Sequence, residues 1–155
     1  MSTHHPRPIG HISLGVRDYD ASKAFYTAAL APLGLRLVYD SESPAEATPA
    51  PPAESPEGGH RRRTLGFGPD EEHEMINVFE YGDKAHAPGQ GSHIAFNAPT
   101  RAAVEQFHDA AVRCGGKSNG EPGLRSKYGP RYFASFVIDP DGWMLEAVCK
   151  EEGSE

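Results

Sequence analysis

Gly91–Gly116, GSHIAFNAPTRAAVEQFHDAAVRCGG, restates Ile9–Gly34, IGHISLGVRDYDASKAFYTAALAPLG, at a fixed distance. His93 answers His11, Ile94 answers Ile12, Phe107 answers Phe25 and Gly116 answers Gly34, each pair 82 residues apart (93 − 11 = 82, and likewise for the rest). Each copy opens on a short strand. In the first, Ile12, Leu14 and Val16 alternate onto one apolar face, leaving His11, Ser13 and Gly15 on the other. A helix follows, predicted over Ala21–Leu33, with Asp18 or Asp20 as its cap, Phe25, Ala28, Ala29 and Leu33 on its buried face, and Gly34 as its stop. In the second copy Thr100 caps a helix through Arg113, with Val104, Phe107, Ala111 and Cys114 at helical spacing before Gly115 and Gly116. A duplicated strand–helix–strands unit predicts an α+β fold built from two like halves.

The first copy continues through predicted strands Leu35–Tyr39, Thr64–Phe67 and Glu74–Tyr81, and Gly82–Gln90 reads as a polar connector to the strand Ser92–Ala98. Asp40–Gly59 differs in kind. It is Ser, Pro, Ala and Glu with almost nothing to bury, so it cannot offset the entropy of ordering and reads as a flexible surface insertion. The second copy ends in a β-hairpin. Tyr132–Ile138 and Trp143–Cys149 are apolar runs flanking Asp139-Pro140-Asp141-Gly142, a turn in which Pro presets φ and Gly accepts a positive one.

The 155 residues suffice for one domain with a sizeable core. A formal charge of −7 argues against nucleic acid or an anionic membrane as partner, and the short basic run His60–Arg63 does not reverse it. No run reaches transmembrane length, and polar Met1–Pro8 does not read as a signal peptide. Cys114 and Cys149 sit in apolar surroundings and read as core thiols of a reducing, cytoplasmic compartment.

The chemistry gathers on the face opposite the aliphatic one. His11 and His93 occupy equivalent strands there, and Glu146 alternates away from Leu145 and Ala147 to point the same way. A carboxylate in an apolar strand needs solvent, a partner or a metal. Two imidazoles and a carboxylate suit one divalent ion among Zn, Fe, Mn, Co and Ni, with coordination positions left for water or substrate. Aligning Ile76–Phe79 with Leu145–Val148 puts Asn77 at the fourth corner, with Glu80 beside it should the register slip. Arg125, Tyr128 and Tyr132, in the Gly/Pro-rich segment before the hairpin, are placed to grip an anionic or phenolic substrate. His73, His86 and His108 read as surface histidines.

The stretches GHISLGVRDYDASKAFYTAALAPLGL, GSHIAF and DPDGWMLEAV resemble the vicinal oxygen chelate superfamily, which includes glyoxalase I, extradiol dioxygenases and bleomycin-resistance proteins. The resemblance implies tandem βαβββ modules, over residues 8–81 and 91–149 of a single domain, whose mixed sheets curve into a metal-holding cup. It implies that His11, His93 and Glu146 hold the metal. Glyoxalase I carries a glutamate on the fourth strand as ligand and base, where this chain has Asn77; Glu80 or Glu146 would have to serve as base. The implied function is a metal-dependent lyase or isomerase acting on a small oxygen-chelating substrate. An Fe(II) extradiol-type dioxygenase and a non-enzymatic drug- or metabolite-binding protein are the alternatives. Retention of all three ligands favours the enzyme. Whether the modules pair within one chain or across a homodimer stays open.

Overall fold

A computed structural model describes residues 9–43 and 62–151. Its strands and helices run β1 (Ile12–Val16), α1 (Tyr19–Leu30), β2 (Arg36–Asp40), β3 (Thr64–Gly68), β4 (Ile76–Glu80), β5 (Ile94–Asn97), α2 (Arg101–Arg113), β6 (Lys117–Leu124), β7 (Phe133–Ile138) and β8 (Met144–Cys149). They form two four-stranded mixed sheets of the same order, β1-β4-β3-β2 and β5-β8-β7-β6. In each the first strand lies parallel to the fourth, while the hairpin pairs are antiparallel. The duplication read from the sequence is therefore a duplication of topology.

Local chemistry sets the helix ends. Asp18 Oδ1 accepts from Ala21 N at 2.8 Å, and Thr100 Oγ1 accepts from Ala103 N at 3.0 Å, satisfying one orphan donor at each start. α1 tightens into a 3-10 turn over Ala31–Leu33, and Gly34 ends it at φ 78°, a conformation that side chains with a Cβ resist. Phe25 and Phe107, equivalent in the repeat, are both fully buried. Burying a side chain of that size contributes about 1.5–3 kcal/mol.

One hydrophobic cluster draws on both halves, from Leu14, Phe25 and Phe67 to Phe107, Val137 and Leu145. Polar ties cross the same junction. Tyr26 Oη donates to Asp139 Oδ2 at 2.6 Å, Trp143 Nε1 to Gly15 O at 3.1 Å, and Arg17 N to Asp141 Oδ1 at 2.9 Å. Asp139 also accepts from Asp141 N and Trp143 N, so its side chain shapes the predicted turn, and Gly142 completes it at φ 100°.

Three expectations change. Asp40 and Ser41 do not belong to the insertion: both are buried, and Asp40 closes β2 while binding Lys23 Nζ at 2.7 Å and the Tyr19 hydroxyl. Glu42 follows, its N donating to Asp40 Oδ1 at 2.9 Å, and residues 44–59 of the expected insertion lie outside the described residues. Lys117–Leu124, KSNGEPGL, forms β6 despite its glycines and proline; its pairing with β7 shifts register twice, the irregularity such residues allow. His108 is not a surface histidine. It is 5% exposed, on the α2 stripe of Val104 and Ala111, and its Nε2 lies 2.8 Å from Ser118 Oγ.

Candidate functional site

The parallel register of β5 and β8 sets Ala95 beside Glu146 and Ile94 beside Leu145, so His93, one residue ahead of β5, comes up to the carboxylate. His93 Nε2 lies 3.0 Å from Glu146 Oε2. Tyr132 Oη donates to the other oxygen, Oε1, at 2.6 Å. Glu146 is only 2% exposed, whereas half of the His93 side chain meets solvent. A carboxylate at that depth is stable only with such partners. Burial, and then the adjacent carboxylate, push the Tyr132 phenol up to about 12, which keeps it a donor at neutral pH.

The predicted substrate-contact residues cluster around this pair. The Tyr128 and Tyr132 rings stand 5.4 Å apart, and Lys150 Nζ lies 5.1 Å from the Tyr132 ring centre. An open cleft of about 370 Å³ runs along Tyr128, Gly129, Pro130, Arg131, Tyr132 and Lys150. Arg125 lies over Phe136, the cross-strand neighbour of Glu146.

The first sheet offers less. Asn77 pairs with Ser13 as Glu146 pairs with Ala95, which makes Asn77 the equivalent of Glu146. Its Oδ1 is buried without a hydrogen-bond partner among the described residues. Glu80 falls at the far end of β4, opposite Val16, on the alternate face from Asn77. There it receives Arg63 through Nε–Oε2 at 2.7 Å and Nη2–Oε1 at 2.6 Å, and Tyr19 N at 3.1 Å. The Arg63 hydrogen bonds hold its carboxyl below the ordinary glutamate range. Glu80, named beside Glu146 as a base, is thus engaged as the ion-pair partner of Arg63. His11, exposed and one residue ahead of β1, does not join His93 and Glu146; among the described residues no three His, Cys, Asp or Glu side chains gather to hold an ion.

Glu74 was not foreseen. Its carboxylate covers Gly66, where Oε2 stands 2.0 Å from the place a Cβ would take, and Gly66 is the cross-strand partner of Asn77. Glu74 therefore lies on the Asn77 face. The available signal was Gly66 in mid-strand, a mark of close approach by another group.

A divalent ion is consistent with these residues as far as they go. An imidazole and a carboxylate in contact are a suitable pair of donors, and the Asn77 Oδ1 without a partner is an acceptor that a cation could satisfy. The second imidazole, His11, is the donor not brought to the pair.

Residues 8–147 match the profile of the Glyoxalase/Bleomycin resistance protein/Dioxygenase superfamily. No curated protein matches significantly. Among solved structures, the chain is similar to a glyoxalase/bleomycin resistance protein from Albidiferax ferrireducens T118, at 25% identity and a TM-score of 0.66, covering 91% of this chain and 98% of the other. Glyoxalase I from Zea mays, at 21% identity and a TM-score of 0.66, is covered over only 47% of its length by 94% of this chain. A glyoxylase/bleomycin resistance protein/dioxygenase domain from Frankia sp. EAN1pec aligns at 18% identity and a TM-score of 0.62, over 95% and 94% of the two chains. The likenesses below 25% identity speak for the fold alone. No helix among the described residues is long and apolar enough to cross a membrane.

Proposed function

The chain belongs to the Glyoxalase/Bleomycin resistance protein/Dioxygenase superfamily, and from that premise we propose a metal-dependent enzyme of the lyase or isomerase kind, acting on a small substrate with two neighbouring oxygens. The observation that carries the reading is the buried Glu146 carboxylate, in contact with His93 and Tyr132. His93 and Glu146 are the proposed donors already together, His11 the third, and Asn77 Oδ1 the fourth corner. A divalent ion held there supplies Lewis acidity to the substrate oxygens.

The chain's own residues do the rest. Tyr132 fixes one oxygen of Glu146 by hydrogen bond, which orients the carboxylate. Glu146 is the proton acceptor we favour, because Glu80 is committed to Arg63 and an amide such as Asn77 cannot take a proton at neutral pH. Tyr128, Tyr132 and Arg125 form the substrate wall.

Elemental analysis of protein purified without added metal tests this, with His93→Ala and Glu146→Ala alongside. The proposal expects near-stoichiometric zinc, nickel, cobalt or manganese in the wild type and little in either variant. Stoichiometric iron with oxygen uptake on catechols would shift the reading to a dioxygenase. An empty wild type that still binds small aromatics would shift it to a binding protein.

A further inference from the structure

The second sheet carries a cation beside the carboxylate site whose place the sheet itself prepares. Phe136 pairs across strands with Glu146, and Gly120 pairs with Phe136, so the three positions share one face. Arg125 lies across that strip. Its guanidinium carbon is 5.5 Å from the Phe136 ring centre, and its terminal nitrogens stand 3.1 and 3.5 Å from where Cβ atoms of Gly123 and Gly120 would be. Larger side chains at these two glycines would crowd the guanidinium. One Nη2 hydrogen bond, 2.5 Å to Glu121 O, anchors it. None of the ion pairs among the described residues involves Arg125, so donors of the fork remain available.

The first sheet treats the equivalent place in the opposite way. The strand neighbour of Asn77 is Gly66, as Phe136 is that of Glu146, and over Gly66 lies the Glu74 carboxylate. The equivalent places therefore hold side chains of opposite sign, a carboxylate on the first sheet and a guanidinium on the second.

We propose that the substrate carries a carboxylate, and that Arg125 is the residue that selects it. A guanidinium beside an aromatic ring, with donors left over, can match a carboxylate in two parallel hydrogen bonds; a lysine in the same place offers only a point charge. The proposal deepens the reading of this same site as an oxygen-chelating one, placing the acid group toward Phe136 and the reacting oxygens toward Glu146.

3,4-Dihydroxybenzoate and 3,4-dihydroxybenzamide form the probe pair: nearly the same shape, each with two neighbouring hydroxyl oxygens and, away from them on the ring, a group that is anionic in one and neutral in the other. Anaerobic calorimetric titration of the protein as purified should show the dihydroxybenzoate binding at least about tenfold more tightly, as expected for a charge-assisted pair. Arg125→Gln should bind the two alike. Arg125→Lys should keep only part of the preference, which guards against a folding defect in the first variant. Equal binding of the pair by the wild type, no binding of either, or a preference that survives in Arg125→Gln overturns the proposal. Failure here is separable from failure of the metal reading. Arg125→Gln that retains its metal while the wild type shows no preference defeats only this inference. A wild type without metal that still prefers the dihydroxybenzoate defeats only the other.

Discussion

The two sheets descend from one plan and have been put to different uses. In the first, the polar residues of β4 and its surroundings are tied to the fold: Glu80 to Arg63 and the start of α1, and Asp40 to Lys23 and Tyr19. At the position equivalent to Glu146 it carries an amide, Asn77. In the second, the equivalent position is a carboxylate flanked by an imidazole, a phenol and a nearby guanidinium. Equivalent backbone does not imply equivalent chemistry; the side chains reaching each position from elsewhere decide it.

The sharpest way to break this comparison is to change the two equivalent residues. Glu146→Ala should lower divalent-ion affinity by about 100-fold or more, since it removes a proposed ligand, whereas Asn77→Ala should cost about tenfold or less. Competition against a fluorescent chelator reads both. Similar losses would mean that the sheets share the work equally.

A second contrast lies within β3. At Gly68 a Cβ would stand 2.1 Å from the His73 backbone oxygen, which cannot move without shifting the chain. At Gly66 it meets the Glu74 side chain rather than backbone. Gly68→Ala should therefore destabilise by about 2–3 kcal/mol and Gly66→Ala by under about 1 kcal/mol, measured by urea unfolding. The reverse order would show that Glu74 is held more firmly than its position suggests.

Much of this was legible in the sequence. The fixed spacing of His11 with His93 and of Phe25 with Phe107 exposed the duplication, and Asp139–Gly142 announced its hairpin. The alternation of Leu145, Glu146 and Ala147 put Glu146 on the side of His93, which it contacts. What stayed hidden depends on partners distant in sequence. The fate of Glu80 rests on Arg63, at the entry to the neighbouring strand β3, and the position of Glu74 on a gap at Gly66. β6 was masked by composition, because Gly and Pro lower strand propensity without forbidding an irregular edge. The burial of His108 could have been found, since it lies four residues after Val104 and three before Ala111.

The structural role of the first sheet has an acid signature. The carboxyl of Glu80 is depressed by Arg63, so its contribution to stability is present above its ordinary value near 4.5 and is lost as pH falls through the depressed one. Arg63→Gln should lower stability at neutral pH and flatten the fall below about pH 4.5. Thermal melts from pH 3 to 7 read this, and an unchanged acid limb would assign the loss to other carboxylates.

The smallest effect is expected where β2 gives way to β3. Ser41 N donates to Thr64 O at 3.0 Å and Thr64 N to Ser41 Oγ at 2.9 Å, so the strand ends are held together at the base of the intervening segment. Replacing residues 44–59 with a short Gly/Ser linker should change the melting temperature by only a few degrees, because closure entropy varies slowly with length. A large drop would show that the segment packs on the fold.

The central claim, that the second sheet holds a divalent ion through His93 and Glu146, is tested most directly by calorimetric titration of metal-stripped protein with Zn²⁺ or Co²⁺. The account predicts one ion per chain in the wild type and none of comparable affinity in His93→Ala, with unchanged far-UV dichroism. Equal stoichiometry and affinity in the two proteins would contradict it.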